Sequence, residues 1–306
     1  MTNPVCNDTV FILTTHGIPS RGTEYYKNLV NRIKGVYQNK IDVLLVVATD
    51  ETFNNDFNFY SQTGFVRFGI GNAEHTKLVS QLSLIPHDTL VLSCNRGYDV
   101  GSFCVGLNYC KDKYKFIVHV HEKSNDNWNS KLVSVCNENI KNQNVDTIIP
   151  RQNSFGMDSF TKVDSSDGNF YLIRKHKHLF PTQHDEWRYS PGKMFATKYE
   201  LLKTLNENFE RIYMLLTDEN KDDVYWQHNM NDKKIFYKYY MEYKDNAIND
   251  SIDEKSHIMR KQLGCKNYLE LRSKGFRGIP DLQIEHAIER YIGYLICHDK
   301  SISFSE

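Results

Sequence analysis

Apolar residues in the first half of the chain fall into two alternating rhythms. Residues 9–14 (TVFILT) form a short apolar run that gives way at Thr15, His16 and Gly17, the pattern of a buried strand and its loop. Tyr26, Leu29, Val30, Ile33 and Tyr37 then recur at helical spacing through 23–38. Residues 41–48 (IDVLLVVA) are nearly continuous in apolar character, as expected of a strand covered on both faces, and end at Thr49, Asp50 and Glu51. A weaker strand follows at 65–70 and a helix at about 72–82. Strands at 89–93 (TLVLS) and 115–120 (KFIVHV) bracket a helix at 100–109. Trp128, Leu132, Val135 and Cys136 mark a further amphipathic helix, and 146–150 a further strand.

Strand–helix alternation of this kind predicts an α/β fold, a mostly parallel sheet flanked by helices. Such sheets bind ligands beyond the carboxyl ends of their strands, which directs attention to His16, Asp50, residues 95–99 and residues 121–123. The second half changes character. Residues 155–175 read as a hairpin with Asp167-Gly168 at its turn. Residues 190–193 (SPGK) form a loop leading into a strand and helix over 194–205. Residues 218–255 are crowded with charges and aromatics, and 281–296 carry Ile284, Ala287, Ile288, Tyr291, Ile292 and Leu295 on one side of a helix. No internal repeat, low-complexity tract or Gly/Ser linker interrupts the chain. The expectation is one domain, 1–306, with an α/β half at 1–150 and a helical C-terminal part within 151–306.

Charge narrows the function classes. The 38 Lys+Arg balance 38 Asp+Glu, so a general nucleic-acid binder, which needs a basic excess, is disfavoured. No run approaches the ~18 apolar residues of a membrane span, and residues 10–13 are too short for a signal-peptide core. Mean hydropathy is −0.57. A soluble protein of a cytoplasmic compartment (the host's, if viral) is expected. Seven cysteines form no C-x-x-C pair and read as reduced, buried thiols. Abundant asparagine and 19 Tyr point to an AT-rich coding genome rather than to any chemistry.

The most informative segment is 95–128, NRGYDVGSFCVGLNYCKDKYKFIVHVHEKSNDNW. An Asn95-Arg96-Gly97 loop follows one strand and leads through Asp99 into a helix. The next strand delivers His119, His121, Glu122 and Lys123 to the same sheet edge. Strand alternation puts His119 and His121 on one face and Val118, Val120 and Glu122 on the other. Arg96 and Lys123 suit anionic diphosphate oxygens, and His121 or Glu122 suits a divalent ion. His119 alone reads better as a core histidine. The pair His119-x-His121 also permits a zinc-dependent phosphoesterase, although no third ligand lies at motif spacing. No G-x-G-x-x-G, Walker A, G-x-S-x-G or H-E-x-x-H motif occurs.

A second constellation lies in 283–290, QIEHAIER. Glu285 and Glu289 are four residues apart and share a helix face, with His286 and Arg290 beside them. Such a set can supply a general base and a phosphate clamp. On the residues alone, an exposed salt-bridged face is the better reading.

The segment NRGYDVGSF, followed by a strand and VHEKS…W, resembles the rhamnan synthesis protein F family of glycosyltransferases. GKMFATKYELLKTL and EHAIERYIGYLI are similar to two further blocks of that family, in the same order, so the likeness runs from Asn95 to about Ile296. It implies a GT-A-like nucleotide-sugar fold with His16 and Asp50 lining the nucleoside. It also implies a nucleoside-diphosphate sugar as donor, a deoxyhexose such as rhamnose among the candidates, and a glycan acceptor in polysaccharide or surface-glycan synthesis. The usual Asp-x-Asp metal motif would fall at 119–123, where this chain reads HVHEK. Either His121 or Glu122 then holds manganese or magnesium, or Lys123 supports the leaving diphosphate without metal. Ala196 stands where the family often has Trp. Candidate bases are Asp99, Glu285 and Glu289. Candidate donor-binding residues are His16, Asp50, Asn95, Arg96, Gly97, His121, Lys123, His286 and Arg290. A third class, a non-catalytic carbohydrate-binding module, would use the aromatics of 218–243.

Overall fold

The structure is a computed structural model that describes residues 7–19, 21–49, 73–94, 97–122, 145–150, 161–163, 168–189, 194–216 and 284–305. Nine strands and seven helices are assigned among them. In chain order these are β1 (Thr9–His16), α1 (Thr23–Val36), β2 (Asp42–Thr49), α2 (Ala73–Leu82), β3 (Thr89–Cys94), α3 (Tyr98–Tyr109), β4 (Phe116–His121) and β5 (Thr147–Pro150). Then follow β6 (Thr161–Val163), α4 (Gly168–Lys175), β7 (Trp187–Tyr189), β8 (Phe195–Lys198), α5 (Tyr199–Glu207), α6 (Phe209–Leu215), α7 (Ile284–Cys297) and β9 (Ile302–Ser305).

Seven strands form one sheet in the order β3-β2-β1-β4-β8-β5-β9. The first four are mutually parallel, with Val10 opposite both Asp42 and Ile117. β8 runs antiparallel to β4 and β5, and β9 is parallel to β5. One reversed strand therefore joins two parallel groups, and that strand comes from the second half of the sequence.

The near-continuous apolar runs have a plain cause in the layering. Val10 and Ile12 of β1 enter the same cluster as Val100, Phe103 and Leu107 of α3, while Phe11 and Leu13 enter the opposite cluster with Leu29, Val30 and Ile33 of α1. Helices cover both faces, so nearly every position of a central strand is buried, the exceptions being strand ends such as His16, Asp42 and Phe116. α3 is itself nearly enclosed, packing on β1 and β2 and against α5, α6 and α7. Gly106 permits this approach, because a Cβ there would come within 3.0 Å of Ile12 and Val46 side-chain carbons.

Several expectations need adjustment. The hairpin expected over 155–175 does not form at Asp167-Gly168: residues from Gly168 begin helix α4, and β6 pairs instead with β7, Val163 opposite Trp187. Phe170, Leu172 and Ile173 recur at helical spacing and bury toward α7, which outweighs the turn dipeptide. The helix after β3 begins two residues earlier than its apolar pattern suggested, at Tyr98, and so includes Asp99. The strands expected at 65–70, the helix marked by Trp128 and the aromatic segment 218–255 lie outside the described residues. Cys104, Cys110 and Cys297 are buried thiols that form no disulfide with one another.

Candidate functional site

The parallel group fixes where chemistry gathers. His16 sits opposite Ala48, Thr49 opposite Cys94, and Thr14 opposite His121, so the ends of β1 to β4 share one edge. α3 starts directly beyond β3 at that edge. Its N-cap is Gly97, in the left-handed conformation at φ 69°, and the amide of Gly101 closes the first turn on the Gly97 carbonyl at 2.8 Å. A Cβ on Gly97 would also lie 2.8–2.9 Å from three side-chain carbons of Leu216. Backbone conformation and space both demand glycine there. The positive end of the α3 dipole is thus aimed at the strand ends, and Asp99 occupies its first turn.

Asp99 meets His121. Its Oδ2 lies 3.1 Å from His121 Nδ1, with the imidazole buried and the carboxylate half-buried. Two residues nominated from different elements are thereby joined in one contact. His119, on the same face, is fully buried between Phe103 (ring centroids 4.4 Å) and Phe195 (5.6 Å), and its Nε2 lies 3.3 Å from Thr14 Oγ1. It is a satisfied core histidine. Its ring stacks nearly parallel to that of His121, with centroids 6.2 Å apart.

Glu122 leaves the strand on the other face, where Thr15 Oγ1 donates to its Oε2 at 2.6 Å; its amide donates to the Thr14 carbonyl at 3.0 Å. His121 and Glu122, the two candidate metal ligands, therefore diverge across the sheet. Thr14 and Thr15 were not singled out from sequence. Both are β-branched strand residues with no motif around them, and only the pairing of β1 with β4 brings them to His119 and Glu122. His16 is exposed at the end of β1. Asp50, Asn95, Arg96 and Lys123 lie outside the described residues.

The C-terminal helix departs from the solvated face its sequence suggested. Glu285 is fully buried, and the side chains of Glu289 and Arg290 are only 15% and 13% exposed. Arg290 Nη1 lies 3.9 Å from Glu289 Oε2, its guanidinium covers the Tyr189 ring at 5.3 Å, and the Trp187 indole donates to its carbonyl at 3.1 Å. These contacts bind the middle of α7 to β7. Gly293 lies directly against Tyr189, so the helix and the β6–β7 ribbon approach closely. The acidic, basic and aromatic residues of this helix are built into a packed interface, because α7 inserts between α3, α4 and the ribbon.

No protein-family model matches this sequence, and no curated protein matches it.

Proposed function

We propose that the chain is a glycosyltransferase of GT-A-like fold that moves a sugar from a nucleoside-diphosphate donor to a glycan acceptor. The observation that carries the reading is the Asp99–His121 contact at the carboxyl edge of the parallel strands. That edge is where open α/β sheets hold their ligands. The ordered likeness of NRGYDVGSF, VHEKS and EHAIER to the rhamnan synthesis protein F family supports the same reading.

The chemistry asks for two things: a group to take the acceptor proton, and positive charge to support the departing diphosphate. In this proposal the Asp99 carboxylate holds the His121 ring in one orientation through Nδ1, and the ring faces the donor through Nε2. The family likeness assigns the supporting positive charge to Arg96 and Lys123, and contact with the nucleoside to His16 and Asp50. A divalent ion, if used, is shared by phosphate oxygens and a carboxylate here, since His121 and Glu122 diverge. Asp99 is then a positioning residue, and a separate carboxylate takes the acceptor proton, with Glu285 and Glu289 the remaining candidates. The sugar class and the polysaccharide setting rest on the family likeness alone.

A thermal-shift series with UDP-, dTDP- and GDP-sugars, with and without manganese, tests the reading. One nucleotide series is expected to raise the melting temperature by several degrees, and its sugar donor to be hydrolysed slowly by water to free sugar and nucleoside diphosphate. Absence of stabilisation by every nucleotide would overturn the proposal.

A further inference from the structure

At the opposite edge of the sheet, three side chains from two segments converge. His298 and Asp299 follow the last turn of α7 and precede β9, whose Ile302 pairs with Thr147 at the start of β5. His184 comes from the loop before β7. One ligand atom from each of the three lies within 4.8 Å of the others. His298 Nε2 stands 3.3 Å from Asp299 Oδ2, and His184 Nε2 stands 3.7 Å from that oxygen. Donors bound to a tetrahedral ion at about 2.0–2.1 Å are spaced by about 3.4 Å. The observed spacing fits with small side-chain adjustments.

We infer that His184, His298 and Asp299 form a binding site for a zinc-class divalent cation, with its fourth coordination position open to a neighbouring cavity.

Four further observations converge on this assignment. His298 Nε2 is shielded from solvent yet makes no hydrogen bond among the described residues, even with the Asp299 carboxylate beside it. A bound cation satisfies such a nitrogen. Asp299 adopts φ 52°, a left-handed conformation uncommon for residues other than glycine, and this is where the carboxylate is turned toward the two imidazoles. Tyr294 organises both rings: it stacks on His298 (5.3 Å, 20°), borders His184 at 6.3 Å, and accepts the Gln183 amide on its hydroxyl at 3.1 Å. Arg174 donates to the His184 carbonyl at 3.1 Å and pairs with Asp185, which steadies the loop.

The donor set selects the ion class. Two imidazoles and one carboxylate suit zinc, cobalt or nickel and are poor for magnesium or calcium, which take oxygen ligands. Three protein ligands leave a fourth position, as in zinc sites that keep a water. A cavity of about 560 Å³ adjoins His298 and Asp299, bounded also by Glu186, Arg188 and Cys297. Arg188 gives that cavity a cation able to face an anionic group on a metal-bound ligand. The site lies across the sheet from Asp99 and His121, so it is separate from the proposed donor site.

Titration of chelator-treated full-length protein with Co²⁺ tests the inference. One equivalent is expected to give the visible absorption of a low-coordinate Co²⁺ centre, and Zn²⁺ to abolish it. His184→Gln and His298→Gln should each weaken Co²⁺ binding by roughly tenfold or more. Both variants should keep the wild-type melting temperature without metal, and His184, in its exposed loop, decides the matter if His298→Gln unfolds. Saturation at one equivalent with weakened variants supports the site. Absence of binding, or equal affinity in wild type and His184→Gln, overturns it. Nucleotide stabilisation of the same variants reports on the donor site alone and is expected to be unchanged.

Discussion

Asp99, in the first turn of α3, and His121, the last residue of β4, stand 3.1 Å apart at the carboxyl edge of the sheet. Neither residue can reach this position without burial elsewhere. α3 is held by its enclosed apolar residues, and β4 by its place between β1 and β8. The contact is a consequence of core packing carried to the sheet edge.

Replacing Asp99 by Asn is expected to separate positioning from stability. The half-buried carboxylate makes a charge-assisted contact, so its loss should cost about 1.5–3 kcal/mol in whatever the histidine does for ligand. The melting temperature should move little, since an amide of the same shape remains. Calorimetric donor affinity and turnover, measured beside thermal denaturation, check this. Wild-type turnover in Asp99→Asn would remove the pair from the site.

Gly97→Ala should be strongly destabilising for two separable reasons. The left-handed backbone costs an alanine about 1–2 kcal/mol, and overlap with Leu216 adds about 1–3 kcal/mol. Urea denaturation of Gly97→Ala alone and with Leu216→Ala resolves them. The second change should relieve the overlap but leave the conformational cost, after allowing for the loss of Leu216 itself.

Asp146 provides a pH-dependent test. The Lys198 ammonium 2.7 Å away, with the Ser301 amide and hydroxyl at 3.2 and 3.0 Å, holds its carboxyl below the usual aspartate range, against the opposing effect of burial. A pKa lowered in the folded state contributes stability above the unfolded value, and that stability is lost as pH falls through the folded one. Asp146→Asn should therefore be less stable than wild type by about 1 kcal/mol at neutral pH. The gap should close in acid, below the ordinary carboxyl value of 3.8. Melting curves from neutral pH into that acid range measure it, and a gap independent of pH would contradict the assignment. Because Asp146 joins β5, β8 and β9, the loss should be felt across that side of the sheet.

Glu289→Gln distinguishes a buttress from a surface pair. Exposed i,i+1 charges would contribute almost nothing, but this glutamate is mostly buried beside Arg290 and Tyr189. The expected result is a loss of about 1 kcal/mol in stability together with reduced turnover. Turnover lost with stability intact would instead place Glu289 on the acceptor proton. Unchanged stability and turnover would restore the solvated-face reading.

The sequence by itself determined the layered α/β architecture, because a strand buried on both faces must be apolar throughout and a covering helix must be apolar at 3.6-residue spacing. β2 and β4 lie within one residue of where those periods put them, and β1 and α1 within two. It also located the strand ends carrying Asp99, His121 and Glu122, since polar residues directly after apolar runs have nowhere else to go. Strand order and partners were decided only in three dimensions. Local pattern does not say that β8 inserts antiparallel between β4 and β5, or that 168–175 winds into a helix against α7 rather than a turn. The same holds for Glu285 and Arg290, whose charges read as solvent-facing until α7 is packed on α3 and β7. It holds most fully for His184, His298 and Asp299, which share no motif spacing. They meet because the end of α7 and the loop before β7 are folded onto each other, and contacts between distant segments leave no periodic trace in a sequence.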